Sequence, residues 1–348
     1  MEIALPLLKA LGALVIILAG CELFTNGIEW FGSKLHLSQG VVGSVLAAVG
    51  TALPETLVPV VAILLVGGDA AEDIGIGAIL GAPFMLATLA AFVTGLSVVL
   101  FAKRRSSGTA ISVDESTLSQ DLVYFLCVYT VAVGTSLVLP LLAPYSATLP
   151  YLESLLRGVV VVFLLGAYAY YVWRHLRREE DQGEEELRAL YLQSGTEGNP
   201  RLRFILSQVF IALVAIILGA HLFVQNLEHV AKAVSISPLV LSLIVTPIAT
   251  ELPEKFNSIL WVRQGKDTLA LGNITGAMVF QSCIPAGIGI ALTPWALNVP
   301  ALASAVIALV SGLIVYMNLR VSRRLSPVVL MLGLPLYLVF LFVAFQGR

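Results

Sequence analysis

The chain has 348 residues, of which 58% are hydrophobic and 12% charged, with a formal net charge of −2 and a mean hydropathy of +0.93. A soluble globular protein carries about twice that share of charge, so a soluble enzyme is excluded as the leading class. The near-neutral balance gives no footprint for a nucleic-acid partner or for a strongly basic membrane-surface binder.

An apolar run of roughly 20 residues can cross a bilayer core of about 30 Å as a helix. Such runs are read at 3–26, 39–66, 74–101, 121–141, 150–173, 204–226, 237–262, 268–292, 299–318 and 326–346. No ten-residue alternation suggests a β-barrel. The first run ends near Leu18-Ala19-Gly20-Cys21, which resembles a lipoprotein cleavage box. Met1-Glu2 precede it without the basic stretch of a signal peptide, so the run is expected to stay as structure. The second holds Gly50-Thr51-Ala52-Leu53-Pro54-Glu55, and the third is rich in glycine at Gly75, Gly77 and Gly81. A basic connection with Lys103-Arg104-Arg105 follows. The stretch 174–203 carries Glu179-Glu180-Asp181 and Glu184-Glu185-Glu186, read as a solvated linker in preference to a calcium site. The seventh run holds Ala249-Thr250-Glu251-Leu252-Pro253-Glu254, and the eighth has Gly272 and Gly276. Glycines in the third and eighth runs would let backbones pack closely around a site. Cys21, Cys127 and Cys283 lack metal-like spacing and are expected as packing residues.

A shift of 199 residues superimposes the two halves without a gap. It carries Ala13-Leu14-Val15 onto Ala212-Leu213-Val214, Gly20 onto Gly219 and Leu23-Phe24 onto Leu222-Phe223. It also matches Glu29 with Glu228, Ser38 with Ser237, Thr51 with Thr250, and Leu53-Pro54-Glu55 with Leu252-Pro253-Glu254. Each half then holds five spans, an odd number, so the halves cross the membrane in opposite senses. The expected fold is an all-α polytopic membrane protein of ten transmembrane helices in two inverted five-helix repeats. The repeats are 1–173 and 204–348, joined by a cytoplasmic linker at 174–203. Inverted repeats are a transporter architecture with the binding site near the midplane. Lys and Arg gather in the loops on the linker's side, which puts both termini outside. No organelle-targeting segment is visible, so a plasma or inner membrane is expected.

Glu55 and Glu254 are carboxylates within apolar spans, where charge is costly and marks ion pathways. A proline inside a helix removes the donor to the carbonyl four residues earlier. Pro54 is expected to free the Gly50 carbonyl, and Pro253 that of Ala249. Two bidentate carboxylates and two such carbonyls supply about six oxygens, which suits calcium better than the strictly octahedral magnesium.

The paired Thr-x-Leu-Pro-Glu segments, with Gly265-Lys266-Asp267-Thr268-Leu269-Ala270-Leu271-Gly272-Asn273-Ile274-Thr275-Gly276 after the second, resemble the two α-repeats of the sodium/calcium exchanger family. That resemblance implies ten helices, alternating access, and Glu55 and Glu254 as calcium-coordinating carboxylates aided by Thr51 and Thr250. The family pattern continues Gly-Asn-x-x-Gly-Ser-Asn, with further sodium ligands. Here Ala82, Leu86 and Ala277 stand where such side chains are expected, and only Gln281 keeps a ligand oxygen. Ala52 replaces the serine within the first motif, and its counterpart is Glu251. Glu251 and Lys255 are spaced for a helical ion pair. Mutual neutralisation of the two, or a Lys255 ammonium where the family binds a sodium ion, would each lower the number of coupling ions; an unpaired Glu251 could instead take up a proton.

The function expected is exchange of a divalent cation, calcium foremost, against Na+ or H+. The expected partners are inorganic cations and the lipid bilayer, with no cofactor beyond the transported ions. No nucleophile–base set points to an enzyme. A passive cation channel and a transport-inactive scaffold of the same fold are the alternatives. Glu29 and Glu228 are candidates for an ion entrance or for helix ends reaching water. Glu22 and His221 are read as packing residues, and Trp30, Tyr170, Tyr171 and Trp173 as interfacial aromatics.

Overall fold

A computed structural model describes residues 3–34, 52–142, 151–176, 189–193 and 200–346; of 176 and 252–257 it describes the backbone alone. The helices are α1 (Ala4–Lys34), α2 (Leu53–Val66), α3 (Asp69–Leu100), α4 (Glu115–Leu142), α5 (Leu152–Leu176) and α6 (Leu202–Val234). They continue as α7 (Pro238–Arg263), α8 (Asp267–Leu292), α9 (Val299–Ser322) and α10 (Pro327–Gln346). Among the described residues eight are long and apolar enough to cross a membrane, while the apolar stretches Leu53–Val66 and Pro238–Glu251 are shorter. No strand forms among them; Ile111 and Leu325 make one isolated bridge.

Local chemistry sets several boundaries. Ser237 caps α7 by accepting from the Val240 amide, and Asn298 caps α9 by accepting from Ala301, each with a proline in the first turn. α6 and α9 end on Ser235 and Arg323 in left-handed backbone, which closes the last turn. Both α2 and α3 contain a π turn, at Ala62–Val66 and Leu86–Ala90. Many outward side chains are large and apolar, among them Leu8, Val15, Val162, Phe210 and Phe342. Such surfaces mark contact with lipid.

The chain divides into two compact units, each drawing on both halves of the sequence: Met1–Ala71 with Ala169–Ile236, and Glu72–Tyr168 with Ser237–Arg348. In the first, α1 and α6 pack antiparallel along most of their length. A Cβ on Gly20 would meet Ile216 and the Ala212 carbonyl; one on Gly219 would meet Ile17 and the Ala13 carbonyl. These two sets exchange under the 199-residue shift. The contact is therefore symmetric within this helix pair. At its other end Asn26 and Gln208, both buried, hydrogen-bond each other at 2.9 Å and hold the segment 189–193. Asn26 bonds the Ala189 carbonyl and the Tyr191 amide, and Gln208 accepts from the Leu192 amide.

In the second unit α3 is the most enclosed span, α4 lies along α8 and α9, and α7 packs on α8. The glycine expectation holds for α3: a Cβ on Gly77 or Gly81 would come within 2.7 Å of the Leu239 or Leu243 carbonyl of α7. It does not hold for Gly272, where a Cβ would meet nothing within 4 Å. Cys21 and Cys283 are buried as expected, but Cys127 is exposed on the outer face of α4. Arg157 of α5 donates to the carbonyls of Ile290, Thr293 and Pro294, closing the C-terminal end of α8, and pairs with Glu153. Arg157→Ala leaves those carbonyls without donors and is expected to cost about 1–3 kcal/mol, read as a lower thermal midpoint in detergent.

Candidate ion-binding site

Glu55 lies in the first turn of α2 and is only 4% exposed. A carboxylate that deep in an apolar helix is expensive unless it serves an ion. Pro54 stands at the start of the described helix, where its missing N–H costs nothing. Gly50, whose carbonyl Pro54 was expected to free, lies outside the described residues, as does Thr51. A second proline, Pro59, lies inside α2. It has no amide to offer the Glu55 carbonyl four residues back. One residue thus presents a buried carboxylate and a main-chain oxygen deprived of its helical donor.

In the second unit, α7 carries a buried polar stripe. Ser242, Thr246 and Thr250 recur every four residues and share a face. Ser242 donates to the Ile74 carbonyl and lies 3.0 Å from the Thr246 hydroxyl. Thr250 donates to the Thr246 carbonyl at 3.1 Å, which commits its proton inside the helix and leaves its oxygen able to accept or to ligate. Ala249 is half-buried, and Pro253, four residues on, has no amide to offer its carbonyl. Pro247 does the same to Leu243, whose carbonyl faces the space that Gly81 leaves open. Glu251 is 2% exposed, directly after Thr250. The side chains of Glu254 and Lys255, and with them the Glu251–Lys255 pairing, lie outside the described residues.

Gln281 of α8 is buried, and its side-chain oxygen has no hydrogen-bond partner among the described residues. Pro285 follows four residues later and removes the donor to the Gln281 main-chain carbonyl. Gln281/Pro285 therefore repeats the pattern of Glu55/Pro59. That spacing, a polar residue four before a proline in an apolar run, was visible in the sequence. Ala82 and Leu86 are buried and apolar, Leu86 within the π turn of α3, so neither side chain offers an oxygen. Among the described residues no three His, Cys, Asp or Glu side chains cluster as a metal site.

Two buried acids escaped the sequence reading. Asp121 of α4 accepts from the Thr275 hydroxyl at 2.7 Å, tying α4 to α8. Asp267 opens α8 and forms a two-pronged ion pair with Arg105, both bonds 2.6 Å. Arg105 also donates to the Val262 carbonyl near the end of α7, and Asp267 accepts from the Ser112 amide. Arg105, counted above as a loop cation, is thus a buried structural residue. Among the surface candidates, Glu228 pairs with the exposed Lys232, and Glu22 accepts from the Tyr191 hydroxyl.

Long apolar helices with apolar outer faces and buried carboxylates define an integral membrane protein of the ion-transporting kind. The sodium/calcium exchanger protein family matches residues 6–174 and 204–346, and the chain belongs to it. It is 27% identical to the inner membrane protein YrbG of Escherichia coli strain K12, over 73% of this chain and 70% of that one. The H+/Ca2+ exchanger CAX has a similar fold, with a TM-score of 0.66, 18% identity, and coverage of 97% of this chain and 81% of that one. The sodium-calcium exchanger NCX_Mj gives 0.54 and 20%, covering 98% and 99%. Membership makes the chain a cation antiporter by family.

Proposed function

We propose that this protein exchanges calcium for sodium or protons by alternating access, with Glu55 and Glu254 as the ion-binding carboxylates. The observation that carries the reading is Glu55: a buried acid in an apolar helix whose own carbonyl is deprived of its donor by Pro59. Hard, irregularly coordinated oxygens of this kind suit calcium. Thr51, Thr250, Gly50 and Ala249 would add hydroxyl or main-chain oxygens. Glu251 and Gln281 would serve the coupling ion. The ions compete for the same carboxylates, whose charge must be neutralised before the site changes its access, and that competition couples their movements. Buried Leu86 and Ala82 remove side-chain oxygens from the first half, which supports a lower count of coupling ions than a fully furnished site would take.

The exchanged contacts of Gly20 and Gly219 support two inverted repeats, 1–173 and 204–348, around a cytoplasmic linker at 174–203. The excess of Lys and Arg on the linker's side supports termini outside a plasma or inner membrane. The test is uptake of calcium-45 into proteoliposomes preloaded with sodium, with protons or with neither. Uptake driven by one of the two gradients is expected. Equal uptake without a gradient would establish a passive pathway, and no uptake in any arm would leave only a scaffold of this fold.

A further inference from the structure

The seam between α1 and α6 has two ends, and they are furnished differently. At one end, Asn26 and Gln208 bind the main chain of 189–192, and Leu190 within that segment is buried. At the other end lies an open groove of ≈ 570 Å³, whose lining includes the polar Lys9, Gln225 and His229 and the apolar Gly12, Ile16 and Leu222. The 199-residue shift equates Lys9 with Gln208, Gln225 with Asn26, and His229 with Trp30. The chain thus fills one groove with its own linker, held by neutral amides that read a peptide. In the related groove a cation replaces one amide, and no segment among the described residues fills it.

Position along the helix says what the second groove meets. Lys9 is five residues from the start of α1, and His229 five from the end of α6. At 1.5 Å per residue, α1 spans about 46 Å, longer than the roughly 30 Å hydrocarbon core. Five residues in from such an end is the level of lipid headgroups. Lys9 is exposed and forms no ion pair among the described residues. Leu5, which lines the groove, and Leu8 on the same turn of α1 as Lys9 are exposed and apolar, as a lipid-facing surface is. Gly12 opens the floor: a Cβ there would meet nothing within 4 Å.

We propose that this groove is a binding site for one anionic phospholipid, its phosphate on Lys9 and Gln225 and an acyl chain running over Gly12 between Ile16 and Leu222. The ammonium supplies the charge-assisted bond, and the floor left open by Gly12 supplies the depth. The linker occupies the related groove as a peptide because amides, not a cation, line it.

The full chain, purified in detergent and offered an equimolar mixture of phosphatidylglycerol and phosphatidylcholine, is examined by native mass spectrometry. One phosphatidylglycerol retained per chain is expected. Lys9→Gln should lower that retention about tenfold, the worth of one hydrogen bond to a charged group. Gly12→Leu should displace the lipid while the thermal midpoint stays that of the wild type, because the new side chain enters open space. Lys232→Gln, an exposed cation on the same helix as His229, should change nothing. Equal retention of phosphatidylcholine overturns the proposal, as does wild-type retention in both groove variants. Displacement of the lipid by millimolar inorganic phosphate would also overturn it, by assigning the site to a free anion.

Discussion

Glu55→Gln is expected to abolish ion exchange while the protein still folds. The substitution keeps the shape of the side chain and removes its charge. A bound divalent cation then faces one carboxylate fewer in a medium of low dielectric constant, a loss of about 3 kcal/mol or more, or roughly a hundredfold in affinity. Because Glu55 is buried, neutralising it also removes a desolvation cost, so the thermal midpoint in detergent should hold or rise. Glu55→Asp keeps the charge but withdraws it by one methylene, and an intermediate rate is expected. Gradient-driven calcium-45 uptake beside a melting curve reads both effects. Wild-type uptake by Glu55→Gln would remove Glu55 from the ion's coordination and the proposed mechanism with it.

Arg105→Ala is expected to be the most destabilising change outside the ion-binding residues. Its guanidinium holds Asp267 by two bonds of 2.6 Å, and the side chains of the pair are 0% and 1% exposed. Removing one member of a buried pair leaves a bare charge, which costs about 3–5 kcal/mol. The Val262 and Ala110 carbonyls lose a donor as well. Asp267 stands in the first turn of α8, where a negative charge also suits the helix dipole, so Asp267→Leu loses that too. The double variant Arg105→Ala/Asp267→Leu should melt well above the sum of the two losses, with a coupling of about 2 kcal/mol in the cycle. Additive losses would show that the pair does not act as a unit.

The spans were legible because lipid imposes a simple rule: every backbone polar group is bonded within its own helix, and the outer side chains are apolar. Length and hydropathy therefore located α3, α4, α5, α8, α9 and α10 to within a few residues, apart from the start of α3 and of α4. The first and sixth spans were placed too short. α1 and α6 run on to Lys34 and Val234, and in the added turns of α6 Glu228 and Lys232 pair with each other. Of the candidate residues, Glu55, Thr250 and Glu251 proved buried as a functional acid or hydroxyl must be. The Gly50 carbonyl expected to be freed by Pro54 lies outside the described residues, and Pro59, which stands outside the repeated motif, is the proline inside α2.

What the amino-acid order determined by itself is whatever one helix decides alone: which stretches are apolar enough for lipid, where a proline strips a carbonyl, and which positions recur 199 residues apart. Partners across helices were beyond its reach. Arg105 and Asp267 lie 162 residues apart, and Asp121 and Thr275 lie 154 apart. Nothing local distinguishes a loop arginine bound for water from one bound for a buried carboxylate. The same holds for the groove beside Lys9, since an empty space is defined by two helices at once and by the glycine that leaves it open. Periodicity and charge are properties of single segments, whereas burial is a property of pairs, and only the packed chain assigns it.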